Sequence, residues 1–258
     1  MPDHSSDTLA AVPDEGPADA PDAAPRRSRR VRRTDWRLGG RTVLHWRESL
    51  LAIAIALGGL GAGFVAGFFL PSTLATVCVW LGMLVAIVIA FSRSRPVGLL
   101  RFRPVDLLWA AGLGLLVRLV QGWAAAADGH PAPFPTLPTV DGHLASGWWF
   151  EGALAPVLIA PPIEEFFFRG VLLVALYTVL RRPFGGFTAG LVALLVSTGL
   201  FIAAHAVTEA LTVPSIVAVG VLGLVCGLLV LLTGRIWPAV GVHVVYNALG
   251  VVLALAGR

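Results

Sequence analysis

Seven stretches of this chain are apolar for long enough to cross a lipid bilayer, and that property decides what it can fold into. A hydrocarbon core ~30 Å thick needs about twenty mainly apolar residues as a helix. Inside lipid, only helices and closed barrels satisfy every backbone N–H and C=O. The stretches lie near 49–70, 72–92, 106–125, 150–180, 187–207, 214–233 and 236–257. The fourth is too long for one straight span. Its first part, 148–162, is expected to be a tilted or interfacial lead-in that breaks at Pro161-Pro162, with Trp148 and Trp149 at the head-group level. Charged residues make up 13% of the chain, against roughly 25% in a soluble domain. The expected fold class is an all-α polytopic membrane protein of about seven transmembrane helices with a polar cavity in the bundle.

Charge is distributed unevenly. Residues 1–25 hold Asp3, Asp7, Asp14, Glu15, Asp19 and Asp22 with no basic residue, and are too poor in apolar surface to fold. "RRSRRVRR" follows at 26–33, then Arg37, Arg41 and Arg47, and all 19 basic residues of the chain are arginine. The cluster reads as a topology determinant in contact with anionic lipid. No folded reading module accompanies it, so no nucleic-acid partner is expected. With the amino terminus in the cytoplasm, the inside loops carry Arg93, Arg95, Arg101, Arg103, Arg181, Arg182 and Arg235, and the outside loops carry no arginine, Arg258 being the one exception to the pattern. The outside loop 126–147 is proline-rich and expected to be irregular, a partial lid. Cys78 and Cys226 read as small buried hydrophobes. Gly59, Gly63 and Gly67, and again Gly223 and Gly227, recur every four residues and predict close helix–helix approach.

The polar residues left inside the spans are few, and each is costly there: Arg118, Glu164, Glu165, Arg169, His205, His243 and Asn247 stand out. In "IEEFFFRG", read as helix, Glu165 and Arg169 are four apart and share a face, whereas Glu164 is turned by ~100°. One glutamate is then held by Arg169 while the other points into a cavity. His205 ends the fifth span at the depth where the fourth begins, which brings it near Glu164. His243 and Asn247 share a face of the last span. Loop charges alone put Glu164 and His205 in the middle or outer half of the bilayer and His243 about 10 Å from the inner side. A glutamate can act as general base on water, histidine can share the proton, and Asn and His donors can hold an oxyanion. The set Glu164, His205 and His243 can equally ligate one zinc ion with an open water position. Arg118 either snorkels to the outer interface or binds Glu151 or a substrate carboxylate.

Three motifs, E-E-x-x-x-R (Glu164, Glu165, Arg169), F-x-x-x-H (Phe201, His205) and H-x-x-x-N (His243, Asn247), follow in that order on successive helices, with Trp237-Pro238 before the last. Together they resemble the CPBP family of intramembrane proteases, also called the type II CAAX prenyl endopeptidase or Abi family, over residues 150–257. The resemblance implies an endopeptidase acting on membrane-embedded or lipidated proteins, prenylated CAAX proteins among them. It implies that Glu164 activates water with help from His205, that His243 and Asn247 stabilise the oxyanion, and that Glu165 and Arg169 support the first glutamate. The family is described both with a metal and with a metal-free glutamate mechanism. The implied organisation is a disordered cytoplasmic tail with its Arg-rich segment (1–48), accessory transmembrane helices (49–147) and a CPBP-like catalytic core (148–258), in a bacterial cell membrane. The alternatives are a non-catalytic bacteriocin-immunity or scaffold protein of the same fold, and a proton-coupled transporter using the same groups as a relay.

Overall fold

The apolar runs become helices, and the turns between them fall where backbone-flexible or proline residues interrupt the pattern. In this computed structural model, which describes residues 35–38, 46–129, 137, 139–140, 143–208 and 212–257, residues 33–258 form one compact unit. The acidic tail and the arginine cluster at 26–33 lie outside the described residues. Helices α1 (Trp46–Gly67), α2 (Ser72–Arg93) and α3 (Val105–Ala127) precede a two-stranded antiparallel hairpin, β1 (Thr139–Val140) with β2 (His143–Leu144). The chain then stays helical from Trp149 to Thr208. It is wound as π-helix over Trp149–Ile159, as α4 over Ala160–Glu165, as π-helix again over Phe166–Leu173 and as α5 over Val174–Thr208. Helices α6 (Val213–Thr233) and α7 (Trp237–Ala256) complete the bundle.

Six helical runs are long and apolar enough to cross a membrane. The expected fourth and fifth spans belong to one of them, Trp149–Ala206, 58 residues long. A straight rod of that length would reach ~87 Å, about three hydrocarbon thicknesses. Gly185 resolves this with φ 76° and ψ 169°, a conformation closed to side chains with a Cβ, and the run folds back there. The two arms pack together: the Ser197 hydroxyl donates to the Phe168 carbonyl at 3.0 Å, and the Phe168 and Phe201 rings meet edge-on at 5.2 Å. The fold-back yields two antiparallel arms from one run, so the count is six runs rather than seven separate helices.

The lead-in does not break at its prolines. Pro161 and Pro162 occupy the first turn of α4, where a missing N–H is tolerated, and the helix passes through them. Trp148 is buried against Gly152, while Trp149 is exposed and stacked edge-on upon it. In the loop before it, two short described segments pair as an antiparallel hairpin. Its hairpin strands are separated in sequence by Asp141-Gly142, a dipeptide strongly associated with two-residue hairpin turns.

Close approach of backbones explains the glycine spacing. A Cβ on Gly59 would lie 3.1 Å from the Gly82 carbonyl oxygen, and one on Gly63 would lie 2.6 Å from Val79, so α1 rests directly on α2. Gly223 and Gly227 bring α6 against Thr198 and Leu194 of α5 in the same way. The surroundings of Gly67 lie outside the described side chains. Outward, large apolar side chains such as Leu107, Leu108, Trp123 and Leu232 stand exposed, the surface of a protein solvated by lipid.

One end of the bundle is clasped by polar contacts. Arg235, expected as a loop charge, is buried and binds Asp106 bidentately, tying the start of α3 to the α6–α7 turn. Trp237 donates from its indole to the Leu100 carbonyl at 2.9 Å. The short 3-10 turn Trp36–Leu38 docks at the same end: Trp36 donates to the Gly234 carbonyl, and Arg37 donates to the last carbonyls of α6 at Leu231 and Leu232. A cation on the C-terminal carbonyls of a helix also complements its dipole.

Candidate active site

The site begins with two neighbouring side chains that leave α4 in different directions. Glu165 is fully buried, and its Oε1 accepts from Arg169 Nη1 at 3.0 Å, one turn on. Arg169, also fully buried, donates its other end to the Gly223 carbonyl at 3.1 Å, and its guanidinium lies 4.4 Å from the Phe201 ring centre. Removing one member of such a buried pair costs ~3–5 kcal/mol, because the other charge is stranded. Glu164, only partly buried, faces the cavity. The helical geometry read from the sequence is therefore the geometry of the bundle.

His243 joins the two carboxylates. Its Nδ1 is 3.0 Å from Glu165 Oε1, and its Nε2 is 3.8 Å from Glu164 Oε2. A carboxylate accepts, so Nδ1 donates to Glu165, and Nε2 is the ring nitrogen turned toward Glu164. Glu165 thus orients the histidine rather than bracing Glu164 directly. Its second oxygen, Oε2, is buried and has no hydrogen-bond partner among the described residues.

Phe201 spaces the two histidines. Its ring lies 4.5 Å from the His205 ring and 5.7 Å from the His243 ring, edge-on to each. His205 Nδ1 is 3.0 Å from the Phe201 carbonyl, which can only accept, so this nitrogen is the donor. The F-x-x-x-H spacing supplies both contacts, since a carbonyl and a side chain four residues on meet on a helix.

Asn247 donates to the Pro156 carbonyl at 2.6 Å. Around that carbonyl the helix is π-wound, and Ala160 donates to Ala155, five residues back. The next N–H in that ladder would come from residue 161, which is proline. The Pro156 carbonyl is therefore left without its helical donor, and the Asn247 amide takes that place.

Glu164, His205, His243, Asn247 and Arg118 line one cavity of about 790 Å³. It runs from the glutamates toward Thr73, Leu137, Ser146 and Ala254, away from the Asp106–Arg235 clasp. His243 lies six residues past Trp237, ~9 Å along α7, and still meets both glutamates. Of the sequence-derived site residues, Glu164, His205, His243 and Asn247 line that cavity, and the buried Glu165 and Arg169 join it through His243. Missing from the sequence reading were the Pro156 carbonyl, Tyr246 and Gln121. The signal for the first was present: a proline five residues after a carbonyl in a stretch read as helix.

A zinc ion would need three donors aimed at one point. Among the described residues, no three His, Cys, Asp or Glu side chains converge in that way. His243 spends Nδ1 on Glu165, and only its Nε2 approaches Glu164. Glu164, His205 and His243 in this arrangement do not form a ligand set for one ion.

Residues 146–249 match the family model for type II CAAX prenyl endopeptidase Rce1-like proteins. The match contains all three motifs and ends two residues beyond Asn247. No curated protein and no solved structure matches the chain.

Proposed function

We infer, from residues 146–249 belonging to the Rce1-like family of type II CAAX prenyl endopeptidases, that the chain is an intramembrane endopeptidase. Its substrates in this reading are membrane-associated proteins, including lipidated ones with CAAX-like ends. The observation that carries it is the series Glu165–His243–Glu164, buried at one end and open at the other to a cavity of about 790 Å³. An oriented histidine beside a second carboxylate is a means of moving protons, and a cavity of this size has room for water and a peptide.

The chemistry then runs as follows. Glu164 Oε2 and His243 Nε2, 3.8 Å apart, are too distant for a direct hydrogen bond, and one water touches both. Its oxygen attacks the peptide carbonyl carbon while Glu164 takes a proton. The resulting oxyanion accepts from the Asn247 N–H that Pro156 does not use and from His243, which enters the cycle as the imidazolium with its Nε2–H turned to the cavity. His205 shares the proton held by Glu164 and helps pass it to the amide nitrogen. The C–N bond breaks, leaving a carboxylate and an amine. Glu165 and Arg169 keep His243 in place throughout. The same reading sets the arginine-bearing loops and the amino terminus in the cytoplasm, the cluster at 26–33 against anionic lipid, and the cavity opening toward the opposite end of the bundle.

The test is cleavage of a prenylated, CAAX-ended peptide by the full chain in liposomes. Glu164→Gln is expected to lower the rate by about 1,000-fold, the scale of a lost general base with its water. Because the donors do not converge on an ion, cleavage is expected to persist in chelator. A Glu164→Gln protein that cleaves like wild type removes the glutamate mechanism.

A further inference from the structure

Arg118 enters the same cavity from α3 without a counter-anion. The two buried arginines of the described bundle each hold a carboxylate, Arg169 that of Glu165 and Arg235 that of Asp106. Among the described residues Arg118 makes no ion pair. Its Nη1 donates to Gln121 Oε1 and its Nη2 to the Tyr246 carbonyl, both neutral acceptors. Its Nε is buried with no partner, and Glu151, which lines the same cavity, forms no pair with it. A cation at membrane depth normally pairs, because lipid and protein solvate it poorly.

The guanidinium is nevertheless held in one place. It lies 4.0 Å over the Tyr246 ring, and the Tyr246 hydroxyl donates at 3.0 Å to the same Gln121 oxygen that Arg118 uses. Gly250 makes the space: a Cβ there would fall 2.4 Å from Nη2 and 3.0 Å from Cζ. A charge fixed by a tyrosine, a glutamine and a missing side chain, and facing a cavity, is arranged for an anion that arrives from outside.

Position along α7 says how far that anion is from the chemistry. The guanidinium sits between the levels of Tyr246 and Gly250, three and seven residues beyond His243, which is ~4–10 Å along the helix. An extended peptide covers that span in about one to three residues. We propose that Arg118 is the anion-binding subsite of this cavity, taking the free C-terminal carboxylate of a peptide whose scissile bond lies at Glu164 and His243. This rests on the reading of the site as a peptidase. It adds the residue that holds the chain end, with planar guanidinium and carboxylate matched as a hydrogen-bonded pair.

Binding to the full-length Glu164→Gln protein in phosphatidylcholine nanodiscs tests this without requiring turnover. The probe is a fluorescent apolar peptide ending in a free acid, compared with the same peptide amidated at its end. The acid is expected to bind about tenfold tighter or more, the factor that a charge-assisted pair confers over a neutral one. Adding Arg118→Gln is expected to bring the ratio to about one, and Arg118→Lys to leave it intermediate. Gly250→Ala, which keeps the arginine but fills its space, is expected to reduce the ratio even where Arg118→Gln folds poorly. Equal binding of the two peptides, no binding of either, or a ratio that survives Arg118→Gln overturns the proposal. A lipid phosphate as the true anion would show as equal peptide binding with Arg118-dependent uptake of phosphatidic acid. The peptidase reading fails by a different signal, cleavage that does not need Glu164.

Discussion

Asn247 donates its amide nitrogen to the Pro156 carbonyl across 2.6 Å, joining α7 to the helix that carries the glutamates. The bond exists because Pro161 has no N–H to give. Asn247→Ala is therefore expected to strand a partly buried carbonyl and cost ~1–3 kcal/mol, apart from any loss of oxyanion stabilisation. Pro161→Ala restores an N–H where the helix lacked one. In the double variant the stability loss is expected to be smaller than in Asn247→Ala alone, read as the midpoint of thermal unfolding in detergent. Activity is expected to stay low in both, because an alanine cannot donate to an oxyanion. Additive stability losses in the double variant would separate the asparagine from the proline.

Glu165 governs His243 through a single oxygen that also holds Arg169. Glu165→Gln is nearly isosteric but neutral, so the imidazole loses the charge that fixes its Nδ1 proton. Activity per folded molecule is expected to fall about 100-fold or more, on the scale of a lost acid–base group. Stability falls as well, since Arg169 remains buried without its anion. Glu164→Gln differs: Glu164 lines the cavity and forms no pair with Arg169, so its loss is expected to spare the melting temperature. Melting curves beside cleavage rates for the two variants check this split.

Much of the site was legible because helical spacing is a strict ruler. Residues four apart share a face, so the Glu165–Arg169 pair and the turning of Glu164 into a cavity followed from "IEEFFFRG" alone. The spans followed equally from the length of apolar runs. Other features depend on contacts between distant segments, which spacing does not encode. Arg235 looks like any loop arginine until Asp106 is brought to it across 129 positions. Arg118 reads equally as a snorkelling residue or a carboxylate ligand until Tyr246 and Gly250 of α7 make a place for it. The lead-in was misread because the donor that Pro161 removes is replaced by Asn247 from α7, a contact between distant segments that no local pattern reports.

At the clasped end, Asp35 offers a pH test. The Arg37 side chain and backbone hydrogen-bonded to it hold its carboxyl below the usual carboxylate range. A folded-state value lowered in this way stabilises the docked turn above the unfolded value. That stabilisation is lost as pH falls through the folded one. Acidification below pH ~4 is therefore expected to loosen Trp36–Leu38, while neutral and mildly alkaline buffers leave it docked. Faster amide exchange at Trp36, whose N–H is bound to the Val97 carbonyl, reports the loosening. Asp35→Asn is expected to flatten that pH response, and an unchanged response would assign it to another group.

Gly223 and Gly227 stand one turn apart on α6 yet are expected to tolerate alanine differently. At Gly223 a Cβ would lie 2.9 Å from Thr198 Cγ2 and 3.4 Å from both Arg169 Nη2 and the Phe201 ring. Thr198 is β-branched and buried, so it cannot swing away cheaply, and α6 must retreat instead. That retreat lengthens the bond from Arg169 to the Gly223 carbonyl and disturbs the guanidinium that holds Glu165. At Gly227 the closest atom is Leu194 Cδ1 at 2.4 Å, the tip of a flexible side chain that can change rotamer. Gly223→Ala is expected to cost ~1–3 kcal/mol, with a loss of cleavage beyond the loss of folded protein. Gly227→Ala is expected to cost less stability and to leave cleavage per folded molecule near wild type. Equal effects at the two positions would mean that the spacing serves α6 packing alone, with no reach into the site.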